Sequence, residues 1–147
     1  MKLEAITLLA LGGVLLSAYL TWDHYQANGS ACGIESCDTI NRGTHSEIYG
    51  IPVAVIGVLG YAAIALTAGV IRRLKRNGRR PEKSLRGLLL LLAAGGFAFT
   101  LYLVYLQLFV IKATCPFCAL SALDITAVFV LSASFYLEKE KRARRDF

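Results

Sequence analysis

Four long apolar runs, at about 5–22, 51–71, 87–111 and 117–137, alternate with polar stretches along this chain. Each is near or above the roughly 18 residues that make a membrane-spanning candidate. In hydrocarbon the backbone must satisfy its own hydrogen bonds. Leu-, Ala- and Gly-rich runs of this length do so as helices, whereas barrel strands would be about ten residues of alternating polarity. The pattern predicts an all-α integral membrane four-helix bundle. With 147 residues it leaves no room for a separate soluble unit, so 1–147 reads as a single transmembrane domain.

Composition agrees: 56% of residues are hydrophobic, 18% are charged and the mean hydropathy is +0.55, which excludes a disordered chain. The net charge of +6 would suit a nucleic-acid binder if the charges were spread. They are not. The segment 72–86 holds eight Lys and Arg against one acid, Glu82, and the tail from Lys139 to Arg145 holds five. With Lys2 these make fourteen of the sixteen basic residues. The opposite side, 23–50 and 112–116, has only Arg42 and Lys112, beside Asp23, Glu35, Asp38 and Glu47. Basic residues near span ends stay cytoplasmic, so both termini are expected inside a cell membrane, facing anionic lipid, and no nucleic-acid partner is needed.

An alternative takes 1–22 as a cleaved signal, with Gly29-Ser30-Ala31 ahead of Cys32 as the processing site. That would leave three spans and invert the basic map, so the charge pattern favours retention. Gly57, Gly60, Tyr61 and Gly95-Gly96 are expected to let neighbouring helices approach closely. Gly50-Ile51-Pro52 should mark where the second span begins, with the proline near the first helical turn.

The candidate chemistry is sulfur. All four cysteines fall on the side poor in basic residues or at its membrane boundary: Cys32 and Cys37 in the first loop, Cys115 and Cys118 opening the last span. Two disulfide staples in a non-catalytic scaffold are one reading, and a zinc site ligated by all four thiolates is another. Cys115-Pro116-Phe117-Cys118 reads more sharply, because it puts two sulfurs three residues apart on one helical face, able to bond to each other or to exchange. Thr114 or Cys115 can cap that helix, with Pro116 in its first turn. The positive end of the helix dipole, helped by Lys112, favours a thiolate there. Cys118 lies about 4.5 Å farther along the axis, toward the bilayer. The loop pair faces water. Electrons could therefore pass by disulfide exchange from a secreted dithiol, through the loop, to the helical pair and on to a lipid-soluble quinone.

The succession Cys32…Cys37, then Tyr49-Gly50-Ile51-Pro52-Val53-Ala54-Val55-Ile56-Gly57, then Cys115-Pro116-Phe117-Cys118 resembles vitamin K epoxide reductase homologues of the bacterial type, over essentially the whole chain. The cysteine order differs from that of the functionally analogous DsbB-type oxidases, in which the CxxC pair comes first. The resemblance implies a four-helix bundle around a quinone of ubiquinone, menaquinone or phylloquinone type. An extracytoplasmic loop with a short horizontal helix after Cys37 would cover the pocket. It also implies Cys118 as the quinone-facing thiolate, Cys115 as its partner, Cys37 as the shuttle and Cys32 as the residue that meets a thioredoxin-fold (DsbA-like) protein. That protein is expected to be separate, since the chain given ends at Phe147 without a fused thioredoxin domain.

Family members often carry a Ser six residues after the second loop cysteine; here Gly43 stands there, with Thr44 the nearest hydroxyl. The Asn and Tyr that vertebrate members use on the epoxide match Leu66 and Ala122, which favours plain quinone reduction over epoxide reduction. Asp124, acidic within a span, is a candidate proton relay or an interhelical hydrogen-bonding group. His45 can donate to a quinone oxygen or serve as a solvated loop histidine, and Asn41 is a further candidate contact. Trp22 and Tyr25 read as interfacial anchors. After reduction in intact cells, a membrane-impermeant maleimide added outside should label Cys32 and Cys37; labelling only after lysis would reverse the topology.

Overall fold

The computed structural model describes residues 1–25, 40, 43, 47–79, 81 and 83–145. Cys32, Cys37, Asn41, Thr44, His45 and most of the segment expected to form the horizontal helix lie outside the described residues. Four helices are long and apolar enough to cross a membrane. We number them α1 (Lys2–Tyr25), α2 (Val53–Arg76), α3 (Lys83–Tyr105) and α4 (Pro116–Arg145); α3 continues as a π-helical stretch, Leu106–Ile111. The helices outrun their apolar runs because the backbone ladder carries on into the basic flanks. Within the bilayer, Thr7, Thr21, Thr67 and Thr126 each donate a hydroxyl hydrogen bond to the carbonyl four residues earlier, so these polar groups cost little in an apolar helix.

Just before α2 the chain makes a hairpin of two short strands, β1 (Glu47–Ile48) and β2 (Ile51–Pro52). Tyr49 and Gly50 turn it, with φ of 54° and 80°. Two successive positive-φ residues match the twist of a two-residue hairpin loop. Pro52, expected near the first helical turn, caps α2 in extended conformation, φ −57° and ψ 133°, so the helix begins at Val53. The Nε2 of His24, at the end of α1, lies 3.3 Å from Glu47 Oε1 and ties the hairpin to that helix.

The helices pack as a ring in chain order, α1 on α2, α2 on α3, α3 on α4 and α4 back on α1. Buried positions recur at three- and four-residue steps, as in Leu3, Ile6, Ala10, Gly13, Ser17 and Leu20 of α1, the spacing of an inward helical face. Most of the packed core sits toward one end: Ile6, Ala68, Ile71, Leu89, Ala93, Val128 and Phe135 are buried there. Outward leucines such as Leu8, Leu15, Leu59 and Leu123 are exposed, as a lipid-facing surface requires. At the packed end Lys2 pairs with Glu138 at 2.8 Å and Arg72 with Glu4 at 2.9 Å. The N-terminus, the end of α2 and the basic part of α4 therefore share one end of the bundle, and the start of α4 lies at the other.

Of the glycines expected to admit close helix approach, Gly57 and Gly96 do so: a Cβ at Gly57 would come 2.9 Å from Ser17 Oγ, and one at Gly96 3.2 Å from Ile125. Gly60 and Gly95 do not, since a Cβ at either would meet nothing within 4 Å; all four glycines line one cavity. The tightest site is Gly13, which the sequence did not single out; a Cβ there would overlap the Tyr61 ring. Gly13→Val should therefore destabilise the bundle by about 1–3 kcal/mol in detergent unfolding. Gly12→Val, at a position with open space beside it, should leave stability nearly unchanged.

Candidate functional site

Pro116 and Cys115 set up the reactive end of α4. Proline lacks the N–H that the first helical position leaves unused, and the Cys115 carbonyl accepts the first intrahelical bond, from Ala119 N–H at 3.0 Å. Cys115 thus sits where the sequence put the helix cap, with its side chain buried. Upstream, the π-helical stretch ends at Lys112, whose φ of 54° breaks the helix; the N–H groups of Lys112 and Ala113 both bond the Gln107 carbonyl. The Phe117 ring packs against Tyr19 of α1, centroids 5.7 Å apart, and anchors the motif across the bundle.

Below this motif the ring of helices opens into a cavity of ≈ 490 Å³, bounded by all four helices and chiefly by α2 and α3. That is within the roughly 300–1,000 Å³ of small-molecule sites. Its wall is almost wholly apolar, with Ile56, Ile64, Phe99 and Leu103 among the contributors. Cys118 forms part of the wall, and so does Ile40 from the loop side. Convergent polar groups are few: the hydroxyls of Ser17, Tyr61, Thr100 and Ser121 and the amide of Gln107. An apolar slot holding hydroxyl and amide donors fits a flat, lipophilic ring with two carbonyl acceptors, such as a quinone.

The floor of the cavity is a polar junction between α2 and α4. The Tyr61 hydroxyl donates to the Ser121 carbonyl at 3.1 Å and lies 3.3 Å from Ser121 Oγ. The Asp124 carboxylate stands beside the same hydroxyl, and its Oδ2 is buried without a hydrogen-bond partner among the described residues. Asp124 is thus at the edge of the site rather than in its wall. Of the candidates named from sequence, the structure brings Cys115, Cys118 and Asp124 into one region, whereas Cys32, Cys37, Asn41, Thr44 and His45 lie outside the described residues.

Leu66 is 71% exposed, so it faces away from the cavity, and Ala122 is not in the cavity wall. Among the described residues no three His, Cys, Asp or Glu side chains gather as a metal site. Sequence reasoning missed Tyr61, which it treated as packing, together with Ser121 and Gln107 in the wall. Ser121 carried a usable signal: three residues after Cys118, it shares that cysteine's helical face. It also counted Asp23 among the loop acids, whereas that residue is fully buried in the last turn of α1. Trp22 and Tyr25 are exposed at the same end, in keeping with interfacial anchoring.

The family model described as the Vitamin K epoxide reductase family matches residues 4–133. The match takes in all of α2 and α3, nearly all of α1, the CxxC motif and the greater part of α4. Gly95→Leu should fill the cavity from α3 without displacing a neighbour. Binding of a short-chain quinone analogue, followed by quenching of the single Trp22, should weaken at least tenfold with the melting temperature preserved.

Proposed function

Because this chain belongs to the vitamin K epoxide reductase family, whose members are membrane oxidoreductases acting with quinones or vitamin K, we propose that it is a thiol:quinone oxidoreductase supporting disulfide-bond formation. The single observation that carries this reading is the position of Cys118 in the wall of an apolar cavity, on the same helical face as the buried Cys115. A quinone of ubiquinone, menaquinone or phylloquinone type, when bound, supplies a two-electron acceptor that takes up two protons. The residues do the rest. Cys118, at the first turn of α4, is the thiolate that faces the acceptor, and the helix N-terminus favours its charge. Cys115 supplies the second sulfur, so the pair becomes a disulfide.

Cys37 then exchanges with Cys115, and Cys32 collects electrons from a separate thioredoxin-fold protein. Asn41, Thr44 and His45 belong to the loop expected over the cavity and are proposed contacts to the ring. The basic end of the bundle, with both termini, is the cytoplasmic end of a bacterial cell membrane by the retention of Lys and Arg inside. Plain quinone reduction is favoured over epoxide reduction because Leu66 and Ala122 bring no donor to the cavity wall.

The test uses two variants. Cys37→Ser should leave Cys32 locked in a mixed disulfide with a thioredoxin-fold protein, visible as a reducible adduct. Cys118→Ala should abolish quinone reduction while the loop pair still exchanges with that partner. A disulfide-stapled scaffold would trap nothing, and added quinone would never oxidise its dithiols. Quinone turnover by Cys118→Ala would overturn the assignment of the lipid-facing thiol.

A further inference from the structure

Quinone reduction moves protons as well as electrons, and the cavity that would hold the acceptor is almost free of water-like groups. Closing the Cys115–Cys118 disulfide forms one S–S bond and releases two electrons, together with one proton from Cys115 and one that Cys118 gave up on ionising. The acceptor takes up both electrons and both protons, so each of its two carbonyl oxygens ends as a hydroxyl. The stoichiometry closes with no other reactant, provided the protons can cross an apolar slot. A membrane interior gives them few carriers, and an ionisable residue placed there is costly unless it serves such a path.

We infer that Tyr61 is the proton donor to one acceptor oxygen and that Asp124 refills it, through the hydroxyl junction that joins α2 to α4. The inference rests on the quinone-reducing reading above. Its basis is geometric. Tyr61 is buried but presents to the cavity. Its hydroxyl touches Ser121 twice, at 3.1 Å to the carbonyl and 3.3 Å to Oγ. Ser121 is one turn from Cys118, and both line the same cavity. Asp124, beside the phenol, keeps one carboxylate oxygen buried and unpartnered among the described residues, an arrangement that a purely structural crosslink would not need. Gly13 holds the ring in place, because any larger residue would collide with it.

The steps balance. With Cys118 ionised, the proton it gave up is held by the Asp124 carboxyl. Tyr61 gives its phenolic proton to the nearer acceptor oxygen and takes that proton from Asp124. The remaining thiol proton, from Cys115, goes to the other oxygen. The phenol is restored in the same turnover, and Asp124 recovers its proton when the disulfide is next reduced and Cys118 ionises again.

Tyr61→Phe keeps the ring against Gly13 and removes only the hydroxyl; Asp124→Asn keeps the shape and removes the exchangeable acid. In the full-length protein with reduced cysteines, each should slow single-turnover quinol formation by about 100-fold, the scale of lost general-acid catalysis. Affinity for the quinone analogue, read by Trp22 fluorescence, should stay within about twofold in Asp124→Asn and fall by no more than about tenfold in Tyr61→Phe, the worth of one hydrogen bond. Asp124→Glu should recover a large part of the rate, and the solvent deuterium isotope effect should grow in the Phe and Asn variants as proton transfer becomes limiting. One readout needs no quinone: the infrared carboxyl band lost in Asp124→Asn should shift in Tyr61→Phe.

Wild-type rates in Tyr61→Phe, or a carboxyl band indifferent to that change, would overturn the proton path while leaving quinone reduction intact. A wild-type protein that reduces no quinone would instead overturn the functional reading, and the infrared band would still decide whether Tyr61 and Asp124 share a proton. If Tyr61→Phe failed to fold, Asp124→Asn, outside the packed core, would decide by the same rate and isotope measurements.

Discussion

The Tyr61 ring, seated against Gly13 and hydrogen bonded to Ser121, is the contact on which the rest of the molecule depends. It joins three helices at one level. On one side of it the bundle is packed, with Ile71, Leu89, Ala93, Val128 and Phe135 filling the space between helices. On the other side the same helices enclose a cavity of ≈ 490 Å³. A bundle that hollowed along its full length would forfeit dispersion contacts throughout, whereas one that is solid for half its length can hold the other half open. Tyr61, Ile64 and Ile125 belong to both halves, as core residues and as cavity floor.

Small residues around the cavity act in two ways. Gly57 and Gly96 receive neighbouring side chains and draw helices together, with Ser17 and Ile125 filling the space a Cβ would need. Gly60 and Gly95 face open space and enlarge the cavity. The distinction is one of azimuth around the helix: at 3.6 residues per turn consecutive side chains point about 100° apart, so Gly95 and Gly96 serve different purposes. In a bilayer, where the lipid is as apolar as the side chains, such close approaches contribute much of the packing.

The sulfur site combines local and long-range causes. Pro116 and the capping position of Cys115 belong to a few residues of sequence, and they place the two cysteines of the motif one turn apart wherever the helix lies. That Cys118 ends in a cavity wall depends on the tilt and contact of all four helices, including Phe117 on Tyr19. The break at Lys112 adds to this, because a π-helical end to α3 turns the chain back over the cavity with Gln107 in the wall.

By itself the sequence determined the number of spans, their helical character, the separation of the basic residues from the CxxC motif and the helix start at Pro116. These follow from run length, charge and residue types, all of which act locally or through the bilayer. It did not reveal the hairpin before α2, where two residues at positive φ depend on pairing Glu47 with Pro52 and Ile48 with Ile51. Nor did it separate the glycines that receive a neighbouring side chain from those beside open space, or raise Tyr61 and Ser121 above ordinary positions in an apolar run. Which side of a helix meets a neighbour, a cavity or lipid is set by rotation about its axis. Four nearly uniform apolar helices carry too little periodic contrast to fix that angle, so only their packing against one another decided it.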